Sequence, residues 1–304
     1  MWCFYSTPHR RFTQNLGWSR ACLCIILAAA LWGVIGVFFN LLSGLGFTQM
    51  QVVAIRSATA AAALGLYLLA RDRPLFRVRL RDCWCFVGTG VFSLVFFNWC
   101  YFTAMELTSL AVAAVLLYTA PMFVMLFSAL LFREPIGPRK VVALVMTFAG
   151  CLLVAGGFGS GGAVSPRGFF VGLGAGIGYA LYSIFSRFAL EKGYSSATIS
   201  FYTFLFAAAA ALPLSHLWTA GPLLVQPAAA VGALGIGVLC CVFPYLLYTQ
   251  GLAGVETGQA AIMATVEPAV AALVSFALYG ESLLGAKGAG ILLIFAAVAV
   301  LNRK

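Results

Sequence analysis

The most restrictive feature of this sequence is a succession of ten apolar stretches, each about 16 to 24 residues long. A helix needs about 20 mostly apolar residues to cross the hydrocarbon core of a bilayer. Of all residues, 63% are hydrophobic and 9% are charged. Soluble domains contain about 45–50% apolar residues and about 25% charged residues. The sequence therefore excludes a soluble domain, a disordered chain and a secreted disulfide scaffold. It predicts an all-α membrane protein with ten transmembrane helices, at 21–42, 49–70, 84–105, 109–132, 141–157, 168–186, 197–218, 229–252, 258–279 and 286–301.

The 18 Lys and Arg residues lie almost entirely on one side of these spans. If the N-terminus is cytoplasmic, fifteen of them fall in cytoplasmic segments, Arg167 and Lys287 fall outside, and Arg56 lies within a span. Because loops rich in Lys and Arg stay in the cytoplasm, both termini are predicted to be cytoplasmic. The protein is expected to be a multi-pass protein of the plasma or inner membrane. Topology and contact with anionic lipid explain the net charge of +10, so nucleic-acid binding is not expected.

The nine cysteines form no pattern typical of disulfides or metal sites. Most lie within predicted spans, where Cys behaves as a small hydrophobic residue, and no CxxC pair occurs. We therefore expect no cofactor and no metal. Residues 1–19 precede an apolar stretch of about 22 residues that has no small-residue cleavage site, so they are predicted to be a cytoplasmic segment before a retained first span.

The chain matches itself when it is shifted by 147 residues. Without gaps, residues 101–154 and 248–301 are identical at eleven of 54 positions. Each repeat contains five spans, an odd number, so the second repeat must be inverted in the membrane. Inverted repeats around a site at the membrane midplane are typical of alternating-access transporters. The predicted organisation is a cytoplasmic segment (1–19), a first repeat (20–157), a Gly-rich linker (158–166) and a second repeat (167–304).

Several short motifs resemble those of a known family, and the endings that follow Pro121 and Pro268 lie at matching positions in the two repeats. The motifs are Trp32-Gly33, Pro121 followed by Phe132-Arg133-Glu134-Pro135, Glu267-Pro268, and Tyr279-Gly280-Glu281-Ser282. Over about residues 20–301 the chain resembles the EamA-type members of the drug/metabolite transporter superfamily. The resemblance implies a ten-helix bacterial inner-membrane carrier, often an exporter of amino acids or related metabolites. It also implies that the first, third and fourth spans of each half line a central cavity.

Two charged residues lie inside predicted spans. Glu267 is the only acidic residue deep within a span, where a charge costs about 2.5–3.5 kcal/mol. It is predicted either to exchange a coupling proton or contact a substrate amine, or to be a protonated structural residue. Arg56 lies about 11 Å inside its span at 1.5 Å per residue. It is either a structural, snorkelling arginine or a gate and carboxylate anchor for substrate.

Pro121 and Pro268 occupy the middle of the fourth and ninth spans. A proline lacks an N–H and clashes with the carbonyl four residues back, so each helix is predicted to kink there. Two kinks at equivalent repeat positions are typical of hinged helices that line a cavity, although a single transmembrane proline is usually structural.

Several aromatic and polar side chains are central in the spans rather than at their ends, where a phenol or amide needs a hydrogen-bond partner. We predict that they line an apolar cavity suited to a small amphipathic solute. They are Trp32, Asn98, Tyr101, Tyr118, Tyr179, Tyr182, Tyr245 and Tyr248.

Glu134 and Glu281 are equivalent residues at helix ends, beside basic residues. They are interpreted as interfacial caps or topology anchors, and a role in gating is the alternative.

The predicted function is secondary active transport of small metabolites, such as amino acids or related amphipathic solutes, with export as the expected direction. The expected partners are the substrate, membrane lipid and a proton or another coupling ion, and a homodimer is compatible with the sequence. A channel or a lipid or drug flippase is the alternative function. An intramembrane enzyme is less favoured, because the sequence contains no GxSxG or HExxH motif.

Overall fold

The computed structural model describes residues 17–156 and 165–302, and every regular element in them is helical. The segment 1–19 and the linker 158–166 lie almost entirely outside these residues. Eight helices are long and apolar enough to cross a membrane: α1 (Trp18–Gly44), α2 (Gln49–Arg71), α3 (Leu80–Leu107), α4 (Leu110–Phe132), α6 (Pro166–Glu191), α7 (Ser196–Ser215), α8 (Pro227–Leu252) and α9 (Thr257–Tyr279). Helices α5 (Pro138–Val154) and α10 (Ala286–Asn302), of 17 residues each, lie where the fifth and tenth spans are predicted.

The outer surface of the bundle is apolar over much of its area. Leu66, Leu130 and Phe170 are about 70% exposed, and they are accompanied by many other exposed Leu, Val and Phe side chains. Such a surface would favour association in water, whereas it matches the hydrocarbon of a bilayer. The chain is therefore a multi-pass membrane protein. The count of ten spans and the cytoplasmic termini remain predictions.

Helix boundaries recur at the 147-residue offset. Helix α2 begins at Gln49 and α7 at Ser196. The preceding residues, Thr48 and Ser195, accept hydrogen bonds from N–H groups of the first turn, because a hydroxyl at this position satisfies a donor that lacks an intrahelical partner.

Helices α3 and α8 each contain a π-helical segment, Gly88–Val95 in α3 and Gly235–Val242 in α8. The two segments begin and end exactly one repeat length apart. Wider π-helical turns change the direction of side chains along a helix and are frequent at functional sites. The apolar pattern of the sequence does not predict these segments.

The two halves pack on each other reciprocally. Helix α1 packs on α8 and α9, α6 packs on α3 and α4, α2 packs on α7, and α5 packs on α10. A Cβ atom on Gly88 would lie 2.4 Å from the Phe185 ring, and one on Gly235 would lie 2.1 Å from the Phe38 ring. Gly88 and Gly235 are repeat equivalents, as are Phe38 and Phe185. Each half therefore presents the same glycine to the same phenylalanine of the other half.

Candidate functional site

Helices α4 and α9 are both interrupted near their middle. Helix α4 consists of Leu110–Leu117 and Ala120–Phe132, and α9 consists of Thr257–Ala264 and Val266–Tyr279. Pro121 is the second residue and Pro268 the third residue of the second segment, where a missing N–H costs little.

Hydroxyl groups stabilise both interruptions. Thr119 and Thr265 each donate a hydrogen bond of 2.6 Å to a carbonyl three residues back, at Leu116 and Ile262. Carbonyls at a helix break need such partners at membrane depth. The two breaks therefore place short, satisfied stretches of irregular backbone inside the bundle.

Glu267 lies at the break in α9 and lines a small cavity between α4, α6 and α9. The cavity has a volume of about 20 Å³ and is also lined by Tyr118, Pro121, Tyr179 and Thr265. Such a volume holds about one water molecule. The Tyr179 hydroxyl donates a hydrogen bond of 3.0 Å to Oε2 of Glu267. Among the residues that the structure describes, the carboxyl of Glu267 thus has one hydrogen-bond partner, and it faces this small cavity beside the paired helix breaks.

Helix α1 passes very close to this point. A Cβ atom on Gly33 would lie 2.9 Å from the backbone oxygen of Glu267 and 2.8 Å from the side chain of Val270. Gly33 therefore permits α1 to contact the break in α9 directly, and it places the neighbouring Trp32 next to the aromatic side chains of α8.

Trp32, Tyr182, Tyr245 and Tyr248 form one aromatic cluster. The Trp32 ring lies 5.4 Å from Tyr245 and 5.3 Å from Tyr248, and Tyr182 lies 4.8 Å from Tyr245, between ring centroids. Two hydroxyls in the cluster are already paired, with a distance of 2.7 Å from Tyr182 to Thr249 and 2.7 Å from Tyr248 to Ser183. Four of the predicted cavity residues are therefore brought together, in a packed cluster.

Asn98, Tyr101 and Arg56 do not line the small cavity. The Asn98 amide donates to the Leu94 carbonyl of its own helix at 2.6 Å, and Tyr101 packs between Phe97 and Phe102. Arg56 is 8% exposed, and its Nε atom has no hydrogen-bond partner in the part of the chain that the structure describes. Within the same residues no salt bridge joins Arg56 to Glu267.

A second, larger cavity opens at one end of the bundle. Its volume is about 640 Å³, and it is lined by Phe39, Ser43, Phe47, Thr48, Gln49, Met50, Trp99, Phe102, Thr103 and Glu106. None of the residues predicted from the sequence lines it. A signal was present, since Trp99, Phe102, Thr103 and Glu106 are spaced i, i+3, i+4 and i+7 and therefore share one face of α3.

No group of three or more His, Cys, Asp or Glu residues suited to a metal ion occurs in residues 17–156 and 165–302. The residues around the small cavity and the aromatic cluster offer one carboxyl, phenols and hydroxyls among apolar side chains. Such a lining suits binding of a small solute with a polar and an apolar part.

A bundle of apolar helices with two matched interruptions beside a partly buried carboxyl is typical of helical membrane transport proteins. The chain belongs to the EamA-like transporter family, whose model matches residues 19–156 and again residues 166–303. The resemblance found from the sequence motifs is thereby confirmed.

Relatives with assigned names are transporters. An uncharacterized transporter of Archaeoglobus fulgidus is 28% identical over 284 residues, which are 92% of this chain and 95% of that protein. The aromatic amino acid exporter YddG of Ancylobacter novellus is 32% identical over 180 residues, which are 58% of this chain and 56% of that exporter. A protein of known crystal structure superposes with a TM-score of 0.77 over 93% of this chain and 96% of that chain. It is 20% identical and shares the fold.

Proposed function

We propose that this protein is a secondary carrier that moves small amphipathic metabolites across the plasma membrane by alternating access. The observation that carries the proposal is the pair of helix breaks in α4 and α9 that flank Glu267. Broken helices at equivalent places in two repeats are the usual framework of a midplane substrate site. The reciprocal packing of the two halves supports inverted repeats related by a pseudo-twofold axis in the membrane plane, with ten spans and both termini in the cytoplasm.

The proposed substrates are amino acids with aromatic or other apolar side chains, and the proposed direction is export. Two observations support this substrate class. Aromatic rings of α1, α6 and α8 lie together near the break in α9, and one relative carries the name of an aromatic amino acid exporter. The phenols and hydroxyls around the rings provide hydrogen-bonding groups for the polar end of such a solute.

Glu267 is proposed to couple a proton to substrate movement. A carboxyl inside the bundle is neutral when the space around it is closed and dry, and it is charged when that space is open to water. A ligand or proton shifts an access equilibrium only by its different affinity for the two states. The 3.0 Å bond from Tyr179 and the adjoining cavity of about one water molecule support this proposal, because opening of the cavity would change the hydration of Glu267.

The test is counterflow in proteoliposomes that contain the purified protein. Vesicles preloaded with unlabelled phenylalanine, tyrosine, tryptophan, leucine or glutamate are diluted into the labelled amino acid. A carrier for this class accumulates labelled aromatic or apolar amino acids transiently, saturates with concentration and discriminates against glutamate. Unsaturated flux with measurable conductance would indicate a channel, and transfer of labelled lipid between leaflets would indicate a flippase.

A further inference from the structure

The junction between α4 and α9 at one end of the bundle is held by a single carboxylate. Glu134 Oε1 accepts the N–H of Thr257 at 2.7 Å, and Oε2 accepts the N–H of Gly258 at 3.1 Å. Both donors belong to the first turn of α9, whose N–H groups have no intrahelical acceptor. A carboxylate at such a helix start makes short, charge-assisted hydrogen bonds.

The start of α9 depends on this outside partner. Its own N-cap residue, Glu256, makes no capping hydrogen bond through its side chain, and the Glu256 carboxylate instead forms a salt bridge with Lys140 of α5. The second half therefore takes both a cap and an ion pair from the first half at this end. Burial alone would raise the pKa of Glu134, but the N–H groups of Thr257 and Gly258 outweigh it and lower the pKa.

The helices approach closely at this junction. A Cβ atom on Gly258 would lie 3.5 Å from the Met125 Cα atom and 3.5 Å from the Ser128 Oγ atom of α4. Ser128 is 1% exposed. Helices α4 and α9 are therefore in direct contact at this end, and the Glu134 bonds must break before the two helices can separate there.

The equivalent junction at the other end is not made. Glu281, the repeat equivalent of Glu134, pairs with Lys287 at 3.0 Å and is about half exposed. The start of α4 is capped within its own half, since the Ser109 hydroxyl accepts the Val112 N–H at 3.2 Å. Ser275, the equivalent of Ser128, is partly exposed. The cavity of about 640 Å³ that Glu106 lines opens at this same end.

We propose that Glu134 and Glu281 hold the two ends of the transport path closed in turn. Each set of bonds from one of these carboxylates to a helix start of the other half is called a latch. In the state described here Glu134 holds one end closed. When that end opens, Glu281 leaves Lys287 and accepts the N–H groups of Leu110 and Ala111, the repeat equivalents of Thr257 and Gly258. With the predicted topology, the Glu134 end faces the cytoplasm. This inference rests on the proposed alternating access, and it adds the residues that decide which end is closed.

The test measures maleimide labelling of Ser128→Cys and Ser275→Cys in the purified protein in lipid nanodiscs, with labelled peptides quantified by mass spectrometry. When Glu134 and Glu281 are both unchanged, the cysteine at position 128 should react slowly and the cysteine at position 275 quickly. Glu134→Gln should raise the labelling rate at position 128 on the order of tenfold and lower it at position 275, because the amide cannot accept both N–H bonds as a carboxylate does. Glu281→Gln, the matched control, should leave position 128 slow.

A second pair of variants removes donors without changing charge. Thr257→Pro and Leu110→Pro each delete one N–H at the first position of a helix, where proline fits the backbone. Thr257→Pro should raise labelling at position 128, and Leu110→Pro should not. Unchanged labelling in both Glu134→Gln and Thr257→Pro, or faster labelling at positions 128 and 275 together, would overturn the latch. If the parent protein shows counterflow but labelling is unchanged in these variants, the latch is contradicted and the carrier proposal stands. If the parent protein shows no counterflow, the carrier proposal itself is contradicted.

Discussion

The reciprocal glycine contacts allow a quantitative test of the packing between the two halves. Gly88→Ala places a methyl carbon 2.4 to 2.5 Å from three atoms of the Phe185 ring, well inside van der Waals contact. The ring must rotate or α3 and α6 must separate, and overpacking of this kind costs about 1–3 kcal/mol. Phe185→Ala deletes all three of these ring atoms and therefore removes the clash.

The free energy of unfolding would be measured by SDS titration in mixed micelles. Because the clash is absent from the double variant Gly88→Ala/Phe185→Ala, its loss of stability should be smaller than the sum of the two single losses by about 1–3 kcal/mol. The same coupling should appear for Gly235→Ala with Phe38→Ala. A methyl group on Gly36 would contact nothing within 4 Å, so the control Gly36→Ala should be additive with Phe185→Ala. Additive losses in the two test pairs would refute the reciprocal packing.

Three further predictions concern charge and topology. The pKa of Glu134 is lowered in the folded protein. Its contribution to the free energy of unfolding is therefore complete at pH values above the ordinary pKa of about 4.3, and it is lost as the pH falls through the lowered pKa. The difference in thermal unfolding temperature between the parent protein and Glu134→Gln should therefore be constant from about pH 7 to 5 and should shrink at lower pH; a constant difference throughout would contradict this. Pro74→Cys should resist membrane-impermeant maleimide in intact cells, and ready labelling would overturn the predicted orientation. Arg187→Met should lower the free energy of unfolding by about 1.5–3 kcal/mol, because Arg187 donates to two carbonyls at the end of α8; unchanged stability in the SDS titration would show these bonds to be negligible.

The sequence predicted the positions of the helices well, because an apolar run long enough to span a bilayer has few alternative structures. The predicted span 109–132 corresponds to α4 (Leu110–Phe132), and 258–279 corresponds to α9 (Thr257–Tyr279). The Ser109 hydroxyl marks the start of α4, and Pro121 and Pro268 follow the interruptions of α4 and α9 directly. The fifth span was expected over 141–157, whereas α5 begins at Pro138, since proline at a first helical turn costs nothing.

The π-helical segments could not be predicted in this way. They arise where α3 and α8 pack around glycines against the other half, and hydrophobic periodicity does not report such tertiary constraints. The sequence placed Tyr179 and Glu267 in the same region, but it could not show that a phenol of α6 bonds to a carboxyl of α9, 88 positions away. The end cavity was missed because attention to midspan residues left out the α3 face that carries Trp99 and Glu106.

Glu134 illustrates the same limit at a helix end. Its position beside basic residues indicated an interfacial cap, and the structure shows that it caps a helix of the other half. The repeat equivalence with Glu281 was visible in the sequence, but the difference between their partners is visible only in the structure.

The central claim is that a proton on Glu267 is coupled to substrate movement. The most direct measurement is proton flux in proteoliposomes with an internal pH-sensitive dye, driven by an outward gradient of a substrate identified by counterflow. The parent protein should move protons together with the substrate, and Glu267→Gln, which keeps the shape but fixes a neutral side chain, should abolish this flux while counterflow continues. If Glu267→Gln moves protons and substrate with an unchanged pH profile, Glu267 is structural, and coupling must be sought at Arg56, Asn98 or the tyrosines of the aromatic cluster.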